Sequence, residues 1–220
     1  MESKEEQEKK IIMKRMRDIA FNTLKKHLID KKFSKNDCNT WGKVIINEIE
    51  EAFKQNFKDY GLIITFYVSD IIGYRANHRS IDYNDTDYKC VVSFFSDYLY
   101  SSVRMLINKI NSKVVDFLDN INAENSITIN NKMMELLERR KYDGDTMAEI
   151  AENMVIDINK MLLEKKDNMP CSYHICYIIQ GPAKNVYYTY KVFNLNVIPS
   201  IFTFSNPHLV SQIILFMINN

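Results

Sequence analysis

The chain has 220 residues and 26.0 kDa, with 29 basic and 28 acidic side chains, a formal net charge of +1 and 46% apolar residues. That size holds one large domain or two of about 100 residues each, and the charge balance excludes a protein that coats nucleic acid with its whole surface. Five glycines, with neither G-x-G-x-x-G nor G-x-x-x-x-G-K-[ST], exclude the common phosphate-cradling loops and lean the composition away from an enzyme.

In chain order, the spacing Ile12, Met16, Ile19/Ala20, Leu24, Leu28 predicts an amphipathic helix. Ser34 stands as N-cap of a second helix reaching about Phe57, with Trp41, Val44, Ile45, Ile49, Ala52 and Phe53 facing inward. After Tyr60-Gly61 the period changes, and 62–68, 88–95 and 99–107 read as strands rich in β-branched and aromatic residues. The more polar 75–83 between them reads as an exposed or edge strand. Residues 111–125 join this block to a second one, with helices near 127–140 and 144–165 and strands near 171–180, 185–193, 197–204 and 209–218. Pro199 lacks an amide donor and belongs at the start or edge of its strand.

The two blocks repeat one another. Lys32-Phe33-Ser34 recurs as Lys141-Tyr142-Asp143, an offset of 109. At that offset Ala20, Leu24 and Leu28 fall on Ile129, Met133 and Leu137. Trp41, Ile45, Ile46, Ile49 and Phe53 fall on Ile150, Met154, Val155, Ile158 and Leu162, and Glu48 falls on Asp157. Further on, Phe95-Ser96-Asp97 aligns with Phe204-Ser205-Asn206. The fold class is therefore α+β: two tandem units, 1–110 and 126–220, each of two helices followed by a mainly antiparallel four-stranded sheet.

The run Asn39-Thr40-Trp41-Gly42-Lys43-Val44-Ile45-Ile46-Asn47-Glu48-Ile49 resembles the second helix of Tctex-type dynein light chains. The strand Ile63-Ile64-Thr65-Phe66-Tyr67-Val68, the acidic turn Tyr83-Asn84-Asp85-Thr86-Asp87 and the two strands after it extend the likeness over roughly 17–108, and more weakly over 127–218. Members of that family are small homodimers that exchange a strand. The resemblance thus implies two protomers fused into an intramolecular pseudo-dimer, monomeric as a chain. It also implies a non-catalytic adaptor of a dynein or ciliary complex, cytoplasmic, binding dynein intermediate chain or a cargo peptide beside the exchanged strand. The second unit departs from the pattern, with Ile150 at the tryptophan position and Asn194-Leu195-Asn196 in place of the acidic turn.

Four groups of residues carry candidate chemistry. Cys171, His174 and Cys176 offer a nucleophile with a base, but strand alternation sends Cys171 to the face opposite His174 and Cys176, and two ligands on one face do not make a zinc site. His78-Arg79 near Asp82, Asp85 and Asp87 reads as a solvated edge rather than an acid–base site. Neither supports a catalytic, metal or cofactor assignment. Between Lys9 and Lys35 ten basic residues stand against two acidic ones, +8 in a chain of +1, and Lys9, Lys10, Lys14, Arg15, Arg17, Lys25 and Lys26 form a candidate basic face. The fourth group is the strand edges, with Asn77, Arg79, Ile81, Tyr83 and Tyr187, Tyr188, Tyr190, Val192 as candidate peptide contacts.

The charged opening Met1-Glu2-Ser3-Lys4-Glu5-Glu6 fits neither a secretory signal nor a mitochondrial leader. The apolar run 213–218 is far short of the roughly 20 residues that cross a bilayer. Cys38, Cys90, Cys171 and Cys176 read as reduced thiols. The alternative function is an accessory subunit of a nucleic-acid-handling complex, in the nucleus, using the basic helix for phosphate contacts.

Overall fold

The computed structural model describes residues 3–71, 78–84, 88–109, 123–164, 171–181, 186–193 and 199–219, with some strand and helix positions described through their backbone alone. Its chain splits into two compact units that are not contiguous in sequence. One comprises Met1–Tyr74, Thr86–Ile110 and Asn185–Leu195; the other comprises Arg75–Asp85, Asn111–Lys184 and Asn196–Asn220.

The first unit opens with α1 (Lys4–Leu28), started by a capping box. The Ser3 N–H donates to Glu6 Oε2 at 2.8 Å and the Glu6 N–H donates to Ser3 Oγ at 3.2 Å, so two amides with no helical acceptor are satisfied reciprocally. Its stripe Ile12, Met16, Ala20, Leu24 and Leu28 is buried, as the 3.6-residue period requires. The second helix, α2 (Lys35–Asn56), buries Ile45, Ile46, Ile49 and Phe53. Ser34 is its N-cap residue but makes no side-chain capping bond; its carbonyl accepts from Cys38 N at 3.0 Å instead. Trp41 and Ala52 are half-buried, and Val44, expected to face inward, is 43% exposed. The helix is anchored by the 45/46/49/53 stripe, which turns Val44 off the core-facing arc.

Against these helices lies a sheet of strands β1 (Tyr60–Asp70), β3 (Tyr88–Phe95), β4 (Leu99–Lys109) and β6 (Val186–Phe193), in the order β3-β4-β1-β6 and antiparallel throughout. Alternation by two puts Leu62, Ile64, Phe66 and Val68 of β1, with Val103, Met105 and Ile107 of β4, in one cluster with the helix stripes. The intervening β1 residues Ile63, Thr65, Tyr67 and Ser69 are also buried. β6 comes from the far end of the chain and pairs with β1 from Leu62↔Phe193 to Ser69↔Val186.

The second unit has α3 (Ala123–Leu137) and α4 (Gly144–Glu164) over strands β2 (His78–Asn84), β5 (Cys171–Gln180), β7 (Ser200–Asn206) and β8 (Leu209–Asn219), in the order β2-β5-β8-β7. Here the borrowed strand is β2, which pairs with β5 from His78↔Gln180 to Asn84↔His174. Every apolar repeat partner proposed for the helices is buried: Ile129, Met133, Leu137, Ile150, Met154, Val155, Ile158 and Leu162. The cap repeats as well, since Asp143 O accepts from Met147 N at 2.8 Å as Ser34 O accepts from Cys38 N. Pro199 stands immediately before β7, where its missing amide costs no ladder bond.

Two boundaries move. The joint expected over 111–125 lies outside the described residues as far as 122, and from Ala123 the chain is already α3. The alignment of Phe95 with Phe204 is off by one. Ser96 Oγ accepts from the N–H groups of Tyr98 and Leu99, and Asn206 Oδ1 accepts from those of His208 and Leu209, so these two residues occupy the same turn position. Phe94, buried on the helix side, is therefore the counterpart of Phe204, while Phe95 is 55% exposed.

Candidate protein-binding edges and the basic helix

Among the described residues each borrowed strand is bonded on one side and ends its sheet: β6 lies outside β1, and β2 lies outside β5. Directly opposed residues of an antiparallel pair share a face. Tyr188, Tyr190 and Val192 oppose Tyr67, Thr65 and Ile63, the β1 residues outside the helix-facing cluster, and all three are half-buried. Tyr187 opposes Val68, so in register it belongs to the other face. In β2, Arg79, Ile81 and Tyr83 pair in backbone register with Ile179, Tyr177 and Ile175, while Asn77 lies outside the described residues. The backbone of Cys171, His174 and Cys176 is β5 strand; their side chains, like those of His78 and Arg79, are outside the description.

Between Tyr190 and Val192 stands Lys191, which the sequence reading passed over. It opposes Ile64, hence points to the helix side, where its Nζ donates to Asn47 Oδ1 at 3.0 Å and forms an ion pair with Glu50. Glu50 is buried and is also paired with Lys54 at 2.9 Å. Burial works against its ionisation, but the hydrogen bonds from Lys191 and Lys54 outweigh that and hold the carboxyl below its ordinary value. The signal was present: a lone lysine in an aromatic strand, and a glutamate directly after a core isoleucine.

The basic helix divides into two flanks instead of presenting one face. Lys26 pairs with Glu48 of α2 at 2.9 Å, and His27 Nε2 lies 2.8 Å from the same carboxylate. The His27 hydrogen bond is the largest influence lowering the Glu48 pKa. Asp157, the repeat counterpart of Glu48, likewise ties α4 to α3 through an ion pair with Lys132. Helical spacing puts Arg15 on the Lys26 side, whereas Lys9, Lys10, Lys14 and Arg17 lie on the flank toward β3. There Lys9 Nζ sits 5.5 Å from the Tyr88 ring centroid, a cation–π contact. Lys25 and Lys26 fall in the last turn of α1, where the helix dipole favours positive charge.

The matched stretch runs from α1 through β4. Residues 10–107 match the Tctex-1 family. The matched segment contains α1, most of it from its second turn, then α2 and β1 to β4; the second half of the chain lies beyond it. Mixed helix and antiparallel sheet, as seen here, agree with that match and with the α+β class. No curated protein matches the chain. No helix among the described residues is long and apolar enough to cross a membrane.

Proposed function

We propose that the chain is a non-catalytic adaptor of the dynein light chain kind, folded as an intramolecular pseudo-dimer of two tandem units, that holds partner polypeptides along its borrowed edge strands. The observation that carries the reading is the reciprocal exchange: β6 completes the first sheet, β2 completes the second, and each stands at an edge. An edge strand offers unpaired backbone groups to an extended peptide, and alternate side chains such as Tyr188, Tyr190 and Val192 supply selectivity. The Tctex-1 match over 10–107 supports a dynein component, foremost the intermediate chain or a cargo segment, as the partner, and a cytoplasmic, cytoskeletal setting. Fusion of two protomers raises their effective concentration to roughly millimolar, which favours exchange within one chain over exchange between chains.

The test is affinity purification of the tagged protein from its own cells with quantitative mass spectrometry. Dynein intermediate chain is expected at near-equal stoichiometry, and a Tyr188→Ala/Tyr190→Ala variant is expected to lose it. Recovery with a nucleic-acid enzyme and no motor subunit overturns the reading. Light scattering tests the pseudo-dimer part: a 26.0 kDa particle is expected, and a stable dimer of chains counts against it.

A further inference from the structure

We propose that the outer edge of β3, with the basic flank of α1 beside it, is a second docking site, built for an extended peptide in which acidic and apolar residues alternate. β3 ends its sheet on the side opposite β6; among the described residues it is bonded to β4 alone, over a length of eight residues. Long edge strands are normally blunted by charge, proline or a covering element. This one carries a single lysine on its exposed row, Lys89, followed by Val91 and Phe95, which are 44% and 55% exposed.

The helix runs alongside the same strand. Lys9 meets Tyr88, the Arg17 guanidinium interacts electrostatically with the Cys90 thiol, and Phe21 contacts Phe94 edge-on at 6.3 Å between centroids. Successive contacts from Lys9 to Phe21 therefore track β3 from its start to its end. On this flank lies a cavity of about 530 Å³, lined among the described residues by Lys9, Lys10, Met13, Lys14 and Arg17. Glu6 and Asp18 line it as well.

A strand laid roughly 4.8 Å outside β3 sends its side chains alternately to the two faces of the sheet. On the helix face they enter a cavity with four basic groups over the thioether of Met13, which selects carboxylates on short apolar stems. On the other face they lie beside Val91 and Phe95, which selects aliphatic side chains. The backbone ladder supplies affinity that depends little on sequence. A nucleic acid strand has no use for that ladder, because it carries no peptide N–H or C=O groups to pair with β3. The site is independent of the β6 and β2 edges and of the function proposed for them.

The probe is a fluorescein-labelled peptide of alternating glutamate and valine, matched in length to β3, titrated by anisotropy. Binding is expected to weaken about tenfold or more in Lys10→Glu/Lys14→Glu, whose exposed positions leave folding unchanged by urea midpoint. It is also expected to vanish when alternate peptide amides are N-methylated, and to slow hydrogen exchange in β3. A lysine–valine peptide is expected not to bind. The proposal is overturned if charge reversal or N-methylation leaves affinity unchanged, or if the glutamate–valine peptide does not bind. Protection that appears in β6 instead of β3 also overturns it while leaving the borrowed-edge reading intact. Binding of a single-stranded oligonucleotide to the flank in place of the peptide overturns it as well.

Discussion

Glu50 on α2 and Lys191 on β6 stand 141 residues apart in the chain and form an ion pair, with Asn47 sharing the lysine at 3.0 Å. The pair fastens a strand from the end of the sequence to a helix from its beginning, inside one compact unit. Removing the lysine leaves a buried carboxylate with Lys54 as its remaining ion-pair partner among the described residues. Lys191→Met is expected to lower stability by about 1–2 kcal/mol, toward the low end for a charged hydrogen bond because the ammonium is half-exposed. Trp41, the single tryptophan, reports the urea transition. Hydrogen exchange distinguishes a local effect: amides of β6 are expected to open before those of β4. An unchanged midpoint and unchanged β6 protection refute the fastening role.

Acid should weaken the same unit. Glu50 and Glu48 both have folded-state pKa values below the ordinary 4.5, Glu50 through Lys191 and Lys54 against the opposing effect of burial, Glu48 first through His27. A depressed carboxylate contributes stability that is full above the unfolded pKa and lost as pH falls through the folded one. The urea midpoint is therefore expected to hold steady from neutral pH to about 4.5 as far as these groups decide it, then to fall. In Glu48→Gln/Glu50→Gln the starting midpoint is lower and the acid slope shallower. An equal slope in that variant removes both carboxylates from the account.

The helices were legible because a period of 3.6 and the identity of the buried side chains are local properties: Ile12 to Leu28 announce α1, and their counterparts Ile129, Met133 and Leu137 announce α3 at a fixed offset. The strands were legible for the same reason. Strand partners were not, because a period of two says which residues share a face and nothing about which edge they join. Whether β2 and β6 stay with their neighbours in sequence or change places leaves the alternation of each strand unchanged. The turn after β3 shows a finer limit: Ser96 and Asn206 do the same work with different side chains, so residue identity favoured the wrong phenylalanine by one position. Charge was the least legible feature. A run of lysines and arginines reads as one basic face, but α1 turns Lys26 to Glu48 and Lys9 to Tyr88 on different flanks.

The contrast between Val44 and Ile45 tests the helix phase directly. Ile45 is fully buried and Val44 is 43% exposed, although both are apolar neighbours in one run. Ile45→Ala is expected to cost about 2–5 kcal/mol from lost burial and the cavity left behind. Val44→Ala is expected to change stability by less than about 0.5 kcal/mol, the usual range for a surface site. Comparable losses at both positions mean that α2 is rotated from the orientation described.

The thiols offer a chemical check on the core. Burial pushes the Cys38 thiol up to about 11, overriding the stabilising hydrogen bond at Ser34 near the start of α2. Burial also raises Cys90, although the Arg17 guanidinium beside it pulls the other way. At pH 8 the Cys38 thiol, at about 11, is about one part in a thousand thiolate, and both sulfurs are enclosed, Cys38 and Cys90 having no exposed surface. Iodoacetamide applied to the folded protein at pH 8 is expected to leave both residues unmodified over hours, and to label both at once in urea, as read by peptide mass spectrometry. Arg17→Ala should not speed labelling of Cys90, since the guanidinium it removes favours the thiolate. Rapid labelling of Cys38 in the native protein contradicts the burial of the first turns of α2, and with it the packing of that helix onto its sheet.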